Sequence, residues 1–418
     1  MGKDDMMERE FKDSGIEWIG RIPKEWKTVP FKAYFSTGKG LSFTKADLTP
    51  SGKAVVSYGQ IHSKQNTGTR LDDFLIRFIP DSLTENGESS RMNKGDFIFA
   101  DTSEDLEGCG NSVYVDRETE LYAGYHSVTA KSKVQQANKY FAYYFLTPCW
   151  RSQVRSRVTG IKVFSISQSI INQTSIIVPP FTEQQRIADY LDKKCGEIDE
   201  LIALQEQMIA QLTDYKQSVI TEAVTKGLNP DAELVPSGID WIGDMPKGWK
   251  VAKAKYFVFI NNGSDPHEEG DIPVYGSGAS SFKTCGEYKE GPTVLIGRKG
   301  ATLHIPHYIE GKYWNVDTAF DVKTRKGMSL RFYYYLAICF DYKYYISQTT
   351  LPGMAQSSYY NMNIPVPPLS EQQTIAAYLD TKCSEIDSLI AIKQQKIETL
   401  KDYKKSVIYE AVTGKMTV

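Results

Sequence analysis

The chain has 418 residues, a formal net charge of −2, 41% hydrophobic and 24% charged residues. That length exceeds one ordinary core and predicts two to four domains, and the composition is that of a globular protein rather than a disordered or fibrous one. No apolar stretch approaches the roughly 20 residues that span a bilayer, and the polar, acidic start MGKDDMMEREFKDSG has no secretory pattern, so a cytoplasmic protein is expected.

In chain order, the first landmark is a lead-in motif, Ser14-Gly-Ile-Glu-Trp-Ile-Gly20 followed by Ile22-Pro-Lys-Glu-Trp-Lys27. It returns as Ser237-Gly-Ile-Asp-Trp-Ile-Gly243 followed by Met245-Pro-Lys-Gly-Trp-Lys250. Residues 178–227 return at 366–415 without a gap, with 32 of 50 positions identical. Between these landmarks lie segments 28–177 and 251–365, whose sequences scarcely match. A duplicated frame around unlike contents suits two different readers held in equivalent positions. The organisation expected is a lead-in over 1–27, a first variable domain over 28–177, a helix over 178–227, a linker and second lead-in over 228–250, a second variable domain over 251–365 and a final helix over 366–418.

Both variable segments read as α+β. The first offers strands Asp96–Ala100, Ser112–Val115 and Ser127–Ser132, then a helix Lys139–Cys149. The second offers strands Tyr256–Ile260, Thr293–Gly297, Tyr313–Val316 and Phe320–Lys323, then a helix Ser329–Phe340. The aromatic runs Phe141-Ala-Tyr-Tyr-Phe and Phe332-Tyr-Tyr-Tyr-Leu stand at similar distances before Val-Pro-Pro, so the two segments look like one fold diverged in its loops. Their aromatics are consecutive rather than on one face, which favours core packing over base stacking.

Each repeat helix lacks Pro until its end and runs about 40 residues, on the order of 60 Å. Leu191, Ile198, Gln205, Leu212 and Val219 recur every seventh residue, as do Leu379, Ile386, Lys393, Leu400 and Val407. Leu201, Met208 and Tyr215, with Leu389, Lys396 and Tyr403, form a second seam position. The simplest burial for such stripes is one helix on the other, with polar Gln205 and Lys393 either fixing register or lying at the surface of an imperfect heptad. Thr182 or Ser370 with Gln185 or Gln373 three residues later reads as a capping box, and Gly227 and Gly414 as left-handed caps. Antiparallel packing about a pseudo-two-fold axis would put the variable domains at opposite ends and the chain termini close together. A circular permutant opened within 228–236 should then fold.

Charge is distributed unevenly. From Leu121 to Thr182 there is no acid, against Lys131, Lys133, Lys139, Arg151, Arg155, Arg157 and Lys162. From Val322 to Ser370 the only acid is Asp341, against Lys323, Arg325, Lys326, Arg331 and Lys343. The helix over 183–226 carries nine acids and five bases, so it should meet protein rather than phosphate. A charge run is often only a solvated face, but the same depletion in two unlike segments favours DNA binding. Candidate contacts are therefore Lys131, Lys133, Arg151, Arg155, Arg157, Lys162, Lys323, Arg325 and Lys343. To these we add Tyr58, Gln60, His62, Ser277, Arg298, Lys299 and Gln348 from Gly-containing or polar loops, where backbone approach to phosphate or paired hydrogen bonds to a base are feasible.

The cysteines form no C-x-x-C pair, Cys195 and Cys383 read as buried thiols, and His304 and His307 lack a metal-site context, so no metal and no cofactor are expected on this chain. Val178-Pro-Pro-Phe181 resembles the (D/N/S)-P-P-(Y/F/W) motif of amino-methyltransferases. Val178 cannot supply the polar side chain, Leu369 replaces the aromatic in the second copy, and neither an S-adenosylmethionine loop nor a Walker A motif is present.

The duplicated VPP-[FL]-[TS]-EQQ helix, the SGI-[ED]-WIG lead-in and the variable segments closing on Val-Pro-Pro together resemble the DNA-specificity subunit of Type I restriction–modification systems, over roughly 11–415. Gly297-Arg-Lys-Gly300 resembles a segment common in the target-recognition domains of that family. The resemblance implies an α+β protein with two target-recognition domains separated by two long, antiparallel, coiled-coil-like helices. It implies no catalysis on this chain, recognition of a split double-stranded DNA target, and helices that set the unread spacer. Expected partners are two modification (methyltransferase) subunits and the restriction subunits, with S-adenosylmethionine, ATP and Mg bound by those partners. A coiled-coil adaptor, or an accessory specificity subunit without its own readout, is the alternative.

Overall fold

A computed structural model describes residues 9–278, 280–346 and 352–418, apart from the side chains of Lys343 and Tyr344. It divides into two units: residues up to Leu204 with Ile397–Val418, and Gln205–Lys396. Each unit holds one lead-in motif, one variable domain, the first half of one long helix and the last part of the other.

In the first unit a four-stranded antiparallel sheet runs in the order Ser112–Tyr114, Phe97–Ala100, Ser127–Ser132, Phe35–Lys39. The central strand, Phe-Ile-Phe-Ala, is buried on both faces. Because side chains alternate along a strand, Phe97 and Phe99 enter one core with Phe31, Phe145 and Trp150, while Ile98 and Ala100 enter another with Val56, Leu71 and Leu121. The second core is closed by a sheet of Arg77–Ile79, Lys53–Val56, Leu121–Ala123 and Arg91–Met92, in which Lys53–Val56 and Leu121–Ala123 are parallel.

The second unit repeats this topology. One antiparallel sheet runs Val258–Asn262, Ala319–Thr324, Thr293–Gly297, His307–Ile309, and the other runs Lys283–Cys285, Ile272–Tyr275, Lys312–Asn315, Lys289–Glu290, with Ile272–Tyr275 and Lys312–Asn315 parallel. The expected strands are all present, with small shifts at their ends. The helix expected over 139–149 is instead two helices, Asn138–Tyr144 and Pro148–Arg155. Pro148 cannot donate an amide hydrogen within a helix, but it fits the first turn of a new one. The counterpart of Asn138–Tyr144 in the second unit is Leu330–Ile338. As expected, the aromatics of both are core: Tyr140, Phe141, Tyr144, Phe332 and Tyr333 are fully enclosed.

The long helices span Phe181–Lys226 and Leu369–Val412. They start two residues before the positions that caps at Thr182 and Ser370 would give, so Thr182 and Ser370 lie inside the first turn, and Gln184 and Gln372 tie that turn to its surroundings. Each of these donates its side-chain amide to the carbonyl of Pro179 or Pro367 at 2.9 Å. Each also accepts a backbone amide of the adjoining variable domain, Ala137 at 3.0 Å and Ser329 at 2.8 Å. The far ends stop at Gly227 (φ 75°) and Gly414 (φ 70°), the left-handed caps expected.

Within each unit the two helix segments are antiparallel. Lys404 reaches Asp199 at 2.7 Å in the first unit and Lys216 reaches Asp387 at 2.7 Å in the second. Of the seam positions, Leu191, Ile198 and Val407 are buried in the first unit, with Leu400 half-buried. In the second unit Leu379, Ile386 and Gln205 are buried, while Leu212, Val219 and Lys393 are half-buried. The second seam position is mostly a surface. Leu201, Tyr215, Leu389 and Tyr403 are each 45–55% exposed. The pair packs through one narrow stripe, and the neighbouring position falls outside the contact. Cys195 and Cys383 are buried, as expected.

Candidate nucleic-acid interface

The variable domains are mounted on the helices by one set of contacts used twice. The lead-in strand Lys27–Pro30 pairs with Ser175–Val178, and Lys250–Lys253 pairs with Asn363–Val366, just before each long helix. The indole of Trp26 donates to Glu183 at 2.9 Å and that of Trp249 to Glu371 at 3.1 Å. Nine residues, about two and a half turns, further along the helix, Asp192 accepts from the Tyr143 hydroxyl at 2.6 Å and pairs with Lys139 at 3.2 Å. Asp380 accepts from the Tyr335 hydroxyl and from Arg331, each at 2.6 Å. Burial and the carboxylate partner push both tyrosines well above the usual phenol range. Lys139 and Arg331, two members of the basic runs, are thereby committed to the mount.

The remaining candidates fall into three groups. The first is occupied in holding loops by capping carbonyl oxygens. Lys133 donates to Lys32, Arg151 to Phe145, Arg155 to Glu107, Arg157 to Gln153, Lys323 to Glu290 and Pro292, and Arg325 to Val258. Burial, with Arg155 alongside, lowers the Arg151 guanidinium to about 10. Arg325 also lies 3.6 Å over the ring of Phe259, which is itself 48% exposed, giving a cation–aromatic surface on an edge strand.

The second group lines a polar cleft of about 530 Å³ in the first domain, with Tyr58, His62 and Arg151 beside Glu104, Asp105 and Glu107. Gln60 caps its own turn by accepting from the Ser57 amide at 3.3 Å. His62 contacts the Thr102 carbonyl at 2.8 Å and Asn111 at 3.1 Å. The acids make this cleft unsuited to phosphate. The third group stands at strand ends and loops: Lys131, exposed Lys162, and Ser277, Arg298 and Lys299 in the second domain. The Lys343 side chain and Gln348 lie outside the described residues.

A second cleft of the first domain, about 750 Å³, escaped the sequence reading. It is lined by Lys39, Phe43, Asp101, Tyr125, His126 and Gln168, among others. The signal lay in no single motif, because these residues come from four separate segments joined only by sheet pairing. Among the described residues no helix is long and apolar enough to cross a membrane.

The profile of the family described as Type I restriction modification DNA specificity domain matches residues 23–214 and 246–402. A Methanocaldococcus jannaschii protein provisionally named the type I restriction enzyme MjaX specificity subunit is 22% identical over 96% of both chains. The MjaVIII specificity subunit of the same organism is 25% identical over 72% of this chain and 76% of its own. In fold, the HsdS subunit from Thermoanaerobacter tengcongensis covers 94% of this chain and 98% of its own, with a TM-score of 0.52 and 17% identity. A chain from a structural study of complex assembly and conformational transition in a type I R-M system covers 94% of this chain and 99% of its own, with a TM-score of 0.73 and 17% identity. The family profile takes in both halves of the duplicated frame, and the chain belongs to the Type I restriction–modification DNA specificity family.

Proposed function

We propose that this chain is a non-catalytic specificity subunit that reads a bipartite double-stranded DNA target, each variable domain reading one half. The observation that carries the reading is the pairing of identical mounts with unlike domains. Gln184 and Gln372, Asp192 and Asp380, and Trp26 and Trp249 repeat the same contacts, while the loops they carry do not match. A constant mount holding a changeable reader is what independent half-site recognition requires, and the helices between the half-sites would set the unread spacer.

The partners follow from the same surfaces. In the first unit Leu201, Leu204 and Tyr403 are exposed, and in the second Tyr215, Leu389 and Ile392. Tyr215, Tyr378, Leu228 and Leu234 also line a cleft of about 590 Å³ in the second unit. Exposed apolar helix surface of this kind fits protein partners, here two modification subunits and, through them, the restriction subunits. S-adenosylmethionine, ATP and Mg belong to those partners, and the complex works in the cytoplasm where its DNA is.

The test is methylome sequencing of a methylation-deficient host that expresses the chain with its neighbouring modification subunit. A swap of residues 251–365 from a relative should change one half of a split methylated motif and leave the other half. A complex that assembles yet methylates no split motif would instead favour a coiled-coil adaptor.

A further inference from the structure

The hydrogen-bond registers align the two variable domains residue by residue. Ser127 pairs with Ala100 at the end of one central strand, and Ala319 with Gly297 at the end of the other. The next residues, Asp101 and Arg298, are therefore equivalent, and the same two backbone bonds hold each. The Asp101 amide donates to the His126 carbonyl at 3.2 Å and the Arg298 amide to the Thr318 carbonyl at 2.8 Å. The Ile166 amide donates to the Asp101 carbonyl at 2.7 Å and the Met354 amide to the Arg298 carbonyl at 2.9 Å. One residue on, Thr102 pairs with Ser165 and Lys299 with Gly353. One backbone socket thus carries a carboxylate in the first domain and a guanidinium in the second.

Neither side chain is committed to the core. Asp101 is 33% exposed, lines the 750 Å³ cleft and touches only the exposed ring of His126, at 3.2 Å, among the hydrogen bonds of the described residues. Arg298 is half-buried, lies 5.8 Å from the centre of the Phe320 ring and makes a long 3.4 Å contact to the Asp317 carbonyl. His126 has φ 53°, the only non-glycine with positive φ among the described residues. A left-handed histidine beside a polar cleft is strain of the kind found at binding sites.

We propose that positions 101 and 298 are the same base-reading position with reversed polarity, an inference that rests on the half-site reading above. Asp101 accepts from an exocyclic amino group, cytosine N4 or adenine N6, and Arg298 donates to the O6/N7 edge of guanine. The exchange of charge carries the argument. A position facing phosphate would repel a carboxylate, so a DNA-facing position that holds either charge fits a surface that offers donors at some sequences and acceptors at others. Base edges in the major groove do so, and the sugar–phosphate backbone does not.

The test uses the complex with its modification subunit in a methylation-deficient host, comparing wild type, Asp101→Asn and Arg298→Gln by methylome sequencing, with melting temperatures of the purified complexes. Asp101→Asn should relax discrimination at one base pair of one half-site, and Arg298→Gln at one base pair of the other. Each should increase methylation of sites that carry a wrong base at that position about ten-fold or more. Unchanged motifs overturn the inference and leave the half-site reading standing. So does methylation lost evenly over all sites, whether from an early-melting complex or from a lost phosphate contact. A wild-type complex with no split motif overturns the half-site reading, and this inference with it.

Discussion

The two variable domains share sheet order, strand directions and register, yet the space between their sheets is filled by opposite chemistry. In the first, Val56, Leu71, Met92, Ile98, Val113 and Leu121 make an apolar layer. In the second the apolar residue set is small, Val274, Cys285 and Val316 with Ile272 and Trp314 alongside. Much of its place is taken by a buried polar network, in which Asp321 is 4% exposed and accepts from Lys289 at 2.5 Å and Asn261 at 2.9 Å. Lys289 also donates to Asn315 at 2.7 Å. By register, Asp321 is equivalent to Thr129, whose hydroxyl is buried with no hydrogen-bond partner among the described residues. Backbone pairing and the aromatic helix core thus suffice to specify this topology. The face between the sheets is free to change so long as every buried charge is matched.

The comparison breaks most sharply at Asp321. Asp321→Ala strands the Lys289 ammonium and should destabilise the second domain by about 2–3 kcal/mol, below the full buried-pair cost because Lys289 keeps some access to water. Thermal unfolding of the full chain should show a lowered transition that Lys289→Met in the same chain partly restores. At the mounts, Trp26→Phe and Trp249→Phe each remove one hydrogen bond to a carboxylate, and each should cost about 1.5 kcal/mol. Equal losses in urea titrations would confirm equivalent mounts, whereas a loss in one copy only would show that the duplication no longer serves both.

Smaller effects sharpen the contrast. Thr129→Val, at the position of Asp321, should be neutral or stabilising by up to about 1 kcal/mol, because it removes a hydroxyl that has no partner. Lys216→Ala and Lys404→Ala break the two equivalent exposed ion pairs and should each cost about 0.2–1 kcal/mol. That difference should vanish in 1 M salt, where the screening length falls to about 3 Å. The smallest effect is expected for the circular permutant opened within 228–236. Gly414 already lies against Pro23 and Trp26, as Gly227 lies against Trp249, and the Tyr140 hydroxyl donates to the Val412 carbonyl at 2.9 Å. Retained folding and methylation specificity would show that the first unit needs no particular chain end there; loss of either would show that it does.

Periodicity and punctuation made the frame legible: helices that end at Gly227 and Gly414, strands at Thr293–Gly297 and Ser127–Ser132, and buried Cys195 and Cys383. Local signals failed where a tertiary contact outranked them. The capping pattern at Thr182 and Gln185 was real as a pattern, but the helix begins at Phe181, and Gln184 is held by Pro179 and Ala137 instead. Lys139 counted toward the basic run because its partner Asp192 lies 53 residues away and only folding brings the two together. The same holds for Lys133, Arg155, Lys323 and Arg325, which donate to carbonyls of residues far away in the chain.

The duplicated frame, the α+β class and the family are legible in the order of residues alone, since repeats, hydrophobic periods and helix-ending glycines act within a few residues of one another. Which cations are committed to the mount, which heptad position stays exposed, and the shared socket of Asp101 and Arg298 emerge only on folding. Those depend on sheet register between strands far apart in the chain, and register is set by hydrogen bonds and buried faces that no local window contains.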